Sequence, residues 1–192
     1  MSKKPKKLIP KDKLRAILPY IRVSSVYLDN AILGYKTDNE REDKCVKLLL
    51  KYIKKRDIQT FISFVTVSEI RPLFIGEISK IKPKLKKKFV EAAEEFKPVV
   101  IELKETIKIL KNNKSFFEFL KKIGIKEYDA AHFTLTVFSN IDLFISFNKR
   151  IFKEKQGKIK KELMRYNRKI PYVWSIDDIE DIMKKLEEIN FI

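Results

Sequence analysis

The sequence predicts an α/β protein with a mainly parallel sheet covered by helices on both faces. Three observations carry that expectation. The strand-like runs are short and apolar throughout, without the polar alternation of a sheet that has one wet face. Each is separated from the next by segments with helical apolar spacing. And 192 residues suffice for one substantial domain with a real core but leave little room for a second.

The chain begins with "MSKKPKKLIPKDKLR", which is basic, holds two prolines and lacks clear periodicity. It reads as a basic extension over residues 1–22, with a short helix near residues 15–20, ahead of a domain spanning 23–192. "VSSVYLD" (23–29) is apolar and β-branched enough for a buried strand, and it ends on an acid. A helix can follow at "NAILGY", and a more charged one at 39–55.

"FISF" lies in a second strand, 58–64, and Thr66 is expected to open a helix toward residue 78, where Pro83 interrupts. A lysine-studded helix then runs to about residue 96. "PVVIEL" is a short third strand. "KETIKILKNNKSFFEFLKKIG" has one continuous helical apolar spacing, with Gly124 as its C-cap. A helix over 127–139, a fourth strand over 141–147, a helix over 149–166, a fifth strand at "IPYVWS" and a terminal helix over 176–188 complete the chain. No internal repeat is visible.

Lys and Arg total 43 against 26 Asp and Glu, a formal charge of +17. Such a surplus suits a polyanionic partner such as nucleic acid; lysine- and glutamate-rich surfaces also accompany heat adaptation. The single cysteine, Cys45, excludes an internal disulfide and any multi-cysteine zinc site, and fits a reducing cytoplasm. No apolar run approaches the roughly 20 residues that cross a bilayer, and no secretory core is present. A soluble cytoplasmic protein without membrane partners is expected. No Gly-rich phosphate loop or serine–histidine nucleophile motif occurs.

In parallel sheets, ligand sites form beyond the carboxyl ends of the strands. Four polar residues occupy such junctions: Asp29 closes the first strand, Glu69 follows the second, Asp129 starts the helix before the fourth, and Asn148 closes the fourth. Each has a plain structural explanation. Asp29 or Asn30 could cap a helix, Thr66 with Glu69 matches a capping box, Asp129 complements a helix dipole, and Asn148 could sit in a turn. Those explanations leave open why acids recur at one edge of so basic a chain. Three carboxylates there would repel one another, and a hard divalent cation, Mg²⁺ or Mn²⁺, would relieve the repulsion.

The blocks "VYLDNAIL", "FISFVTVSEI", "EYDAAHFTLTVF" and "DLFISFNKRIF", followed by "IPYVWSIDDI", occur in that order. Together they resemble PIN-domain proteins, especially the prokaryotic VapC-type ribonucleases, over roughly residue 23 to the C-terminus. The resemblance implies a three-layer α/β/α sandwich with a central, mainly parallel sheet of about five strands. It also implies a metal-dependent endoribonuclease whose metal-binding and catalytic residues are Asp29, Glu69, Asp129 and Asn148, with Mg²⁺ or Mn²⁺ as cofactor. RNA is the implied substrate, with DNA not excluded. The implied roles are the toxin of a toxin–antitoxin pair, held by a small antitoxin protein, or an RNA-processing nuclease. A homodimer through the helices near 39–55 and 78–96 fits the family. The alternative is a non-catalytic PIN-like module that binds RNA or protein.

Asn148 departs from an acidic fourth ligand by adding no charge, and Asn30 stands where many members have Thr or Ser. His132, three residues after Asp129, is expected to play a supporting role. Asp142 should form a buried polar contact, Ser63 and Ser146 could orient the acids, and Phe133, Phe138, Phe144 and Phe147 read as core. The lysine clusters at 82–88 and 153–169 are solvated faces or phosphate contacts.

Overall fold

The computed structural model describes residues 22–33, 40–74, 82–146 and 149–188. The basic extension before Arg22, together with Phe147 and Asn148, lies outside the described residues. Five strands run in one sheet: β1 (Ser25–Leu28), β2 (Gln59–Ser63), β3 (Val99–Ile101), β4 (Leu143–Ile145) and β5 (Tyr172–Trp174), in the order β3-β2-β1-β4-β5. Every pairing is parallel. The helices are α1 (Asn30–Leu33), α2 (Glu40–Arg56), α3 (Phe64–Phe74), α4 (Lys82–Phe96), α5 (Leu103–Asn112), α6 (Lys114–Lys122), α7 (Glu127–Phe138), α8 (Lys149–Met164) and α9 (Ile176–Glu188).

Side chains alternate across a strand, and here the alternation divides two cores. Val26 and Leu28 of β1, Ile62 of β2 and Leu143 and Ile145 of β4 join the cluster under α1, α2, α4 and α9. Tyr27 and Phe144 point the other way, into the cluster under α5, α6, α7 and α8. Both faces are therefore covered, which gives the expected three layers and explains why the strands are apolar throughout. Cys45 is buried in the first core. Among the described residues, no helix is long and apolar enough to cross a membrane.

Two local expectations need correction. The helix expected over 104–123 is two helices, because the backbone at Asn113 leaves helical geometry at φ −117, ψ 28 and its side-chain amide donates to the Ile109 carbonyl at 2.8 Å. That bond satisfies a terminal carbonyl of α5 and lets the chain turn. Pro83 does not precede a helix but sits in the first turn of α4, where its missing N–H has no partner to lose. Gly124 follows α6 at φ +92, a left-handed value that glycine takes without strain.

The polar contact expected of Asp142 is present at the amino edge of the sheet, though half-buried and not buried as expected. Its Oδ2 accepts from the amide and hydroxyl of Ser24, at 2.9 and 2.7 Å, and from those of Ser25, at 3.2 and 3.1 Å. Burial alone would raise the Asp142 carboxyl, but the four donors outweigh it and hold it below the usual carboxylate range. A group whose folded value is depressed stabilises above its unfolded value, about 4, and that contribution is lost as pH falls through the folded value. Asp142→Asn is expected to cost about 1 kcal/mol near neutral pH after allowance for solvent screening. Thermal melts at neutral pH and at a series of pH values below about 4 check this: the gap between parent and variant should narrow as the pH falls, and a pH-independent gap would refute the assignment.

Candidate metal centre at the carboxyl edge of the sheet

β1 is the middle strand, with β2 on one side and β4 on the other. Chain order reverses there, so the crevice beyond its carboxyl end is open to a ligand. Asp29 is the next residue. Its amide donates to the Ile145 carbonyl at 3.2 Å, which extends the β1–β4 ladder by one bond, and its carbonyl accepts from Ile32 at 3.0 Å. The backbone thus makes the turn into α1, and the side chain is left to face inward. Asp29 is 4% exposed, and its Oδ2 accepts from the Ser146 hydroxyl at 2.6 Å. Ser146 directly follows β4, and orients the acid as the sequence suggested.

β2 ends in Ser63, and α3 begins at the next residue. The Val65 amide donates to Ser63 Oγ at 3.1 Å, so Ser63 caps this helix. The capping box expected from Thr66 and Glu69 is therefore absent: Thr66 is already the third residue of α3. Glu69, two turns in, instead reaches His132, whose Nε2 lies 2.7 Å from Glu69 Oε2. The same nitrogen is 3.9 Å from Asp29 Oδ1.

α7 supplies both His132 and Asp129. They are three residues apart, hence on one side of the helix. Glu127, in the same first turn, is exposed, whereas Asp129 is buried. A dipole-complementing acid has no need of burial, and a buried carboxylate is costly unless it is partnered. The structure does not describe the side chain of Asn148.

Beneath the acids lies Tyr27, fully buried, with its hydroxyl 2.6 Å from Ser63 Oγ and 2.8 Å from His132 Nδ1. Burial pushes the phenol well above its ordinary value, the charges of Asp29 and Glu69 push the same way, and the Ser63 hydrogen bond opposes them. Tyr27 is therefore a neutral hydrogen-bonding group. A carboxylate only accepts. A neutral imidazole facing Glu69 then carries its proton on Nε2, accepts from Tyr27 at Nδ1, and leaves the phenol oxygen to accept from Ser63. If Nε2 instead becomes a ligand, the proton moves to Nδ1 and the chain reverses, His132 donating to Tyr27 and Tyr27 to Ser63. The network satisfies both tautomers, as the support of a ligating histidine should.

Donor atoms of Asp29, Glu69 and His132 all lie within 4.8 Å of one another. Two carboxylates and an imidazole suit a divalent cation of the Mg²⁺, Mn²⁺ or Zn²⁺ kind, with the oxygen share favouring the harder ions. Sequence reasoning gave His132 a secondary place and did not single out Tyr27. The signal for Tyr27 was an aromatic hydroxyl in an apolar strand, two residues before the acid, on the face opposite Val26 and Leu28. Phe133 and Phe144 are fully buried, as expected of core.

No family model matches the sequence, and no curated protein matches it. Among solved structures, a chain of VapBC2 from Rickettsia felis, crystallised with a DNA fragment from their promoter, is similar at a TM-score of 0.51 and 13% identity, covering 79% of this chain and 98% of that one. At this identity the likeness shows a shared fold. That fold is the five-stranded parallel sheet flanked by helices expected from the sequence.

Proposed function

We propose that this chain is a metal-dependent endonuclease that hydrolyses phosphodiester bonds of RNA. The observation that carries the reading is the convergence of Asp29, Glu69 and His132 at the switch point of the sheet of a chain with charge +17. An acidic pocket is unexpected on so basic a protein unless a cation mediates between its carboxylates and a phosphate. The shared fold with a VapBC2 chain supports it, as do the ordered PIN-like blocks.

Asp29 and Glu69, whose donors the structure brings within 4.8 Å of each other and of His132, would hold Mg²⁺ or Mn²⁺, with Asp129, which lies outside that group, and Asn148 assisting. The ion would supply charge neutralisation at the scissile phosphate and lower the pKa of water. The protein's own part is positional. Ser146 holds one oxygen of Asp29 and leaves the other directed toward His132. Tyr27 and Ser63 fix the plane of the His132 ring, which stands against Glu69. Burial of Asp29 and Asp129 keeps bulk water from screening their charge. Exposed lysines of α8 can contact phosphates on either side of the cut.

The biological setting that fits is a toxin restrained by a small antitoxin protein, or an RNA-processing enzyme, in a reducing cytoplasm. Incubation of the purified chain with labelled single-stranded RNA and Mn²⁺ tests the activity. Cleavage that EDTA abolishes and that Asp129→Asn lowers by about 100-fold or more is expected, since loss of even an outer partner of a metal ligand costs 10- to 100-fold. Equal cleavage by parent and variant would sink the assignment. Absence of both cleavage and millimolar Mn²⁺ binding would favour a non-catalytic RNA- or protein-binding module.

A further inference from the structure

At the amino edge of the sheet, opposite the carboxylates, lies a cleft of about 780 Å³ whose lining includes Arg22, Asn140, Asp142, Asn167, Arg168 and Lys169. We propose that it binds the phosphodiester backbone of a single-stranded nucleic acid, as a contact separate from the metal centre. This goes beyond the nuclease reading and does not depend on it.

The cleft is built, not merely basic. Its wall is set by the carboxyl ends of α7 and α8, where Asn140 and Asn167 take left-handed backbone at φ +56 and +51. Asparagine tolerates that conformation, and it closes each helix: the Asn140 and Ile141 amides return to Val137 and Thr136, and the Asn167 and Arg168 amides to Met164 and Leu163. Arg168, which follows α8, is held in place by the α7 wall. Its guanidinium lies 5.6 Å from the centre of the Phe138 ring and donates to the Asn140 side-chain oxygen. An arginine so anchored loses little further freedom when it takes up an anion.

Among the described residues, the lining carries more cations than carboxylates. Among the described residues, Arg22, Arg168 and Lys169 form no ion pair with a carboxylate. Asp142, the only acid among the described lining residues, has its Oδ2 engaged by four donors from Ser24 and Ser25. The ends of α7 and α8 contribute at most about half a negative charge each, so that with the Asp142 carboxylate a net positive charge remains on the described lining. Arginine forks, a lysine and neutral amide donors are the groups that contact phosphates without reading bases.

The test measures binding of a short fluorescent single-stranded RNA to the full chain in EDTA, where nothing is cleaved, over a series of salt concentrations. Arg22→Glu/Arg168→Glu/Lys169→Glu is expected to bind about tenfold more weakly or worse, and to lower the slope of log K against log salt by about 2, the value for three phosphates of a single strand. The milder Arg22→Gln/Lys169→Gln leaves the Arg168 contacts intact, keeps the fold measurable, and should show about two-thirds of that slope change. Lys44→Glu/Lys47→Glu/Lys55→Glu makes the same change of charge on exposed positions of α2 and should weaken binding far less. Equal losses in the two triple variants would overturn the proposal by reducing it to net charge. So would unchanged binding in the cleft variants, or displacement of the RNA by poly-glutamate at matched charge, which would make the cleft an acidic-protein site. Cleavage assays with metal are read separately, so an inactive protein that still shows the cleft effect removes the nuclease reading alone.

Discussion

Asp29→Asn is expected to abolish the metal response of this protein while leaving the fold intact. Asp29 is 4% exposed at the end of the central strand, one of its oxygens taken by Ser146 and the other turned toward His132 and Glu69. Asparagine has the same shape and can still accept from Ser146, so the backbone bonds to Ile145 and Ile32 have no reason to change. What disappears is one negative charge among groups that repel one another. Two measurements then separate the roles. Without metal, the variant should melt at the same temperature as the parent or slightly higher, because a buried charge has been removed. With Mn²⁺ at about 100 times its dissociation constant, the parent should gain about 2.7 kcal/mol, or roughly 5–10 °C for a chain of this size, and the variant should gain almost none. Titration calorimetry should show metal affinity down by about 100-fold or more. An undiminished rise in melting temperature would remove Asp29 from the ligand set.

Phe144→Ala should be the most destabilising single change in the sheet. Phe144 is fully buried in the middle of β4, and its ring meets Tyr27 at 6.0 Å, Phe133 at 5.8 Å and Phe152 at 5.4 Å between centroids. Those three come from β1, α7 and α8, so the ring joins the sheet to two helices. Truncation removes its buried area and leaves a hole that three rigid neighbours cannot fill, at a cost of about 3–5 kcal/mol. Total stabilities run at about 5–15 kcal/mol, so the melting temperature should fall by about 10 °C. Val100→Ala, on edge strand β3 at 44% exposure, should stay within about 0.5 kcal/mol of the parent. Denaturant unfolding of both variants checks the contrast. Similar midpoints would mean that the second core does not bear on stability as its packing implies. The cavity would also lie beside Tyr27, so metal affinity should fall as the His132 support loosens.

The α/β class was legible because it depends on patterns local to each segment. Apolar strands and amphipathic helices announce themselves through periodicity, and the terminal helix over Ile176–Glu188 has the bounds the sequence implied. Boundaries failed where one side chain competed with the pattern. Asn113 broke a continuous apolar spacing by turning its amide onto Ile109, and Ser63 took over the capping role expected of Thr66 because Oγ of the strand's last residue reaches Val65 first. Pattern counting weighs residues equally and has no means to rank such contacts.

The sequence by itself determined the two-faced apolar sheet, the acids at its strand ends, and the surplus of positive charge. Only the tertiary structure decided that Glu69 turns from its own helix toward His132, that Tyr27 and Ser63 support that imidazole, and that Arg22, Arg168 and Lys169 share a cleft. The physical reason is sequence distance. Asp29, Glu69 and His132 lie on β1, α3 and α7, and their donors come within 4.8 Å only because the strand order places β1 between β2 and β4. A side chain's partner across the sheet is set by that order, which no local run of residues encodes.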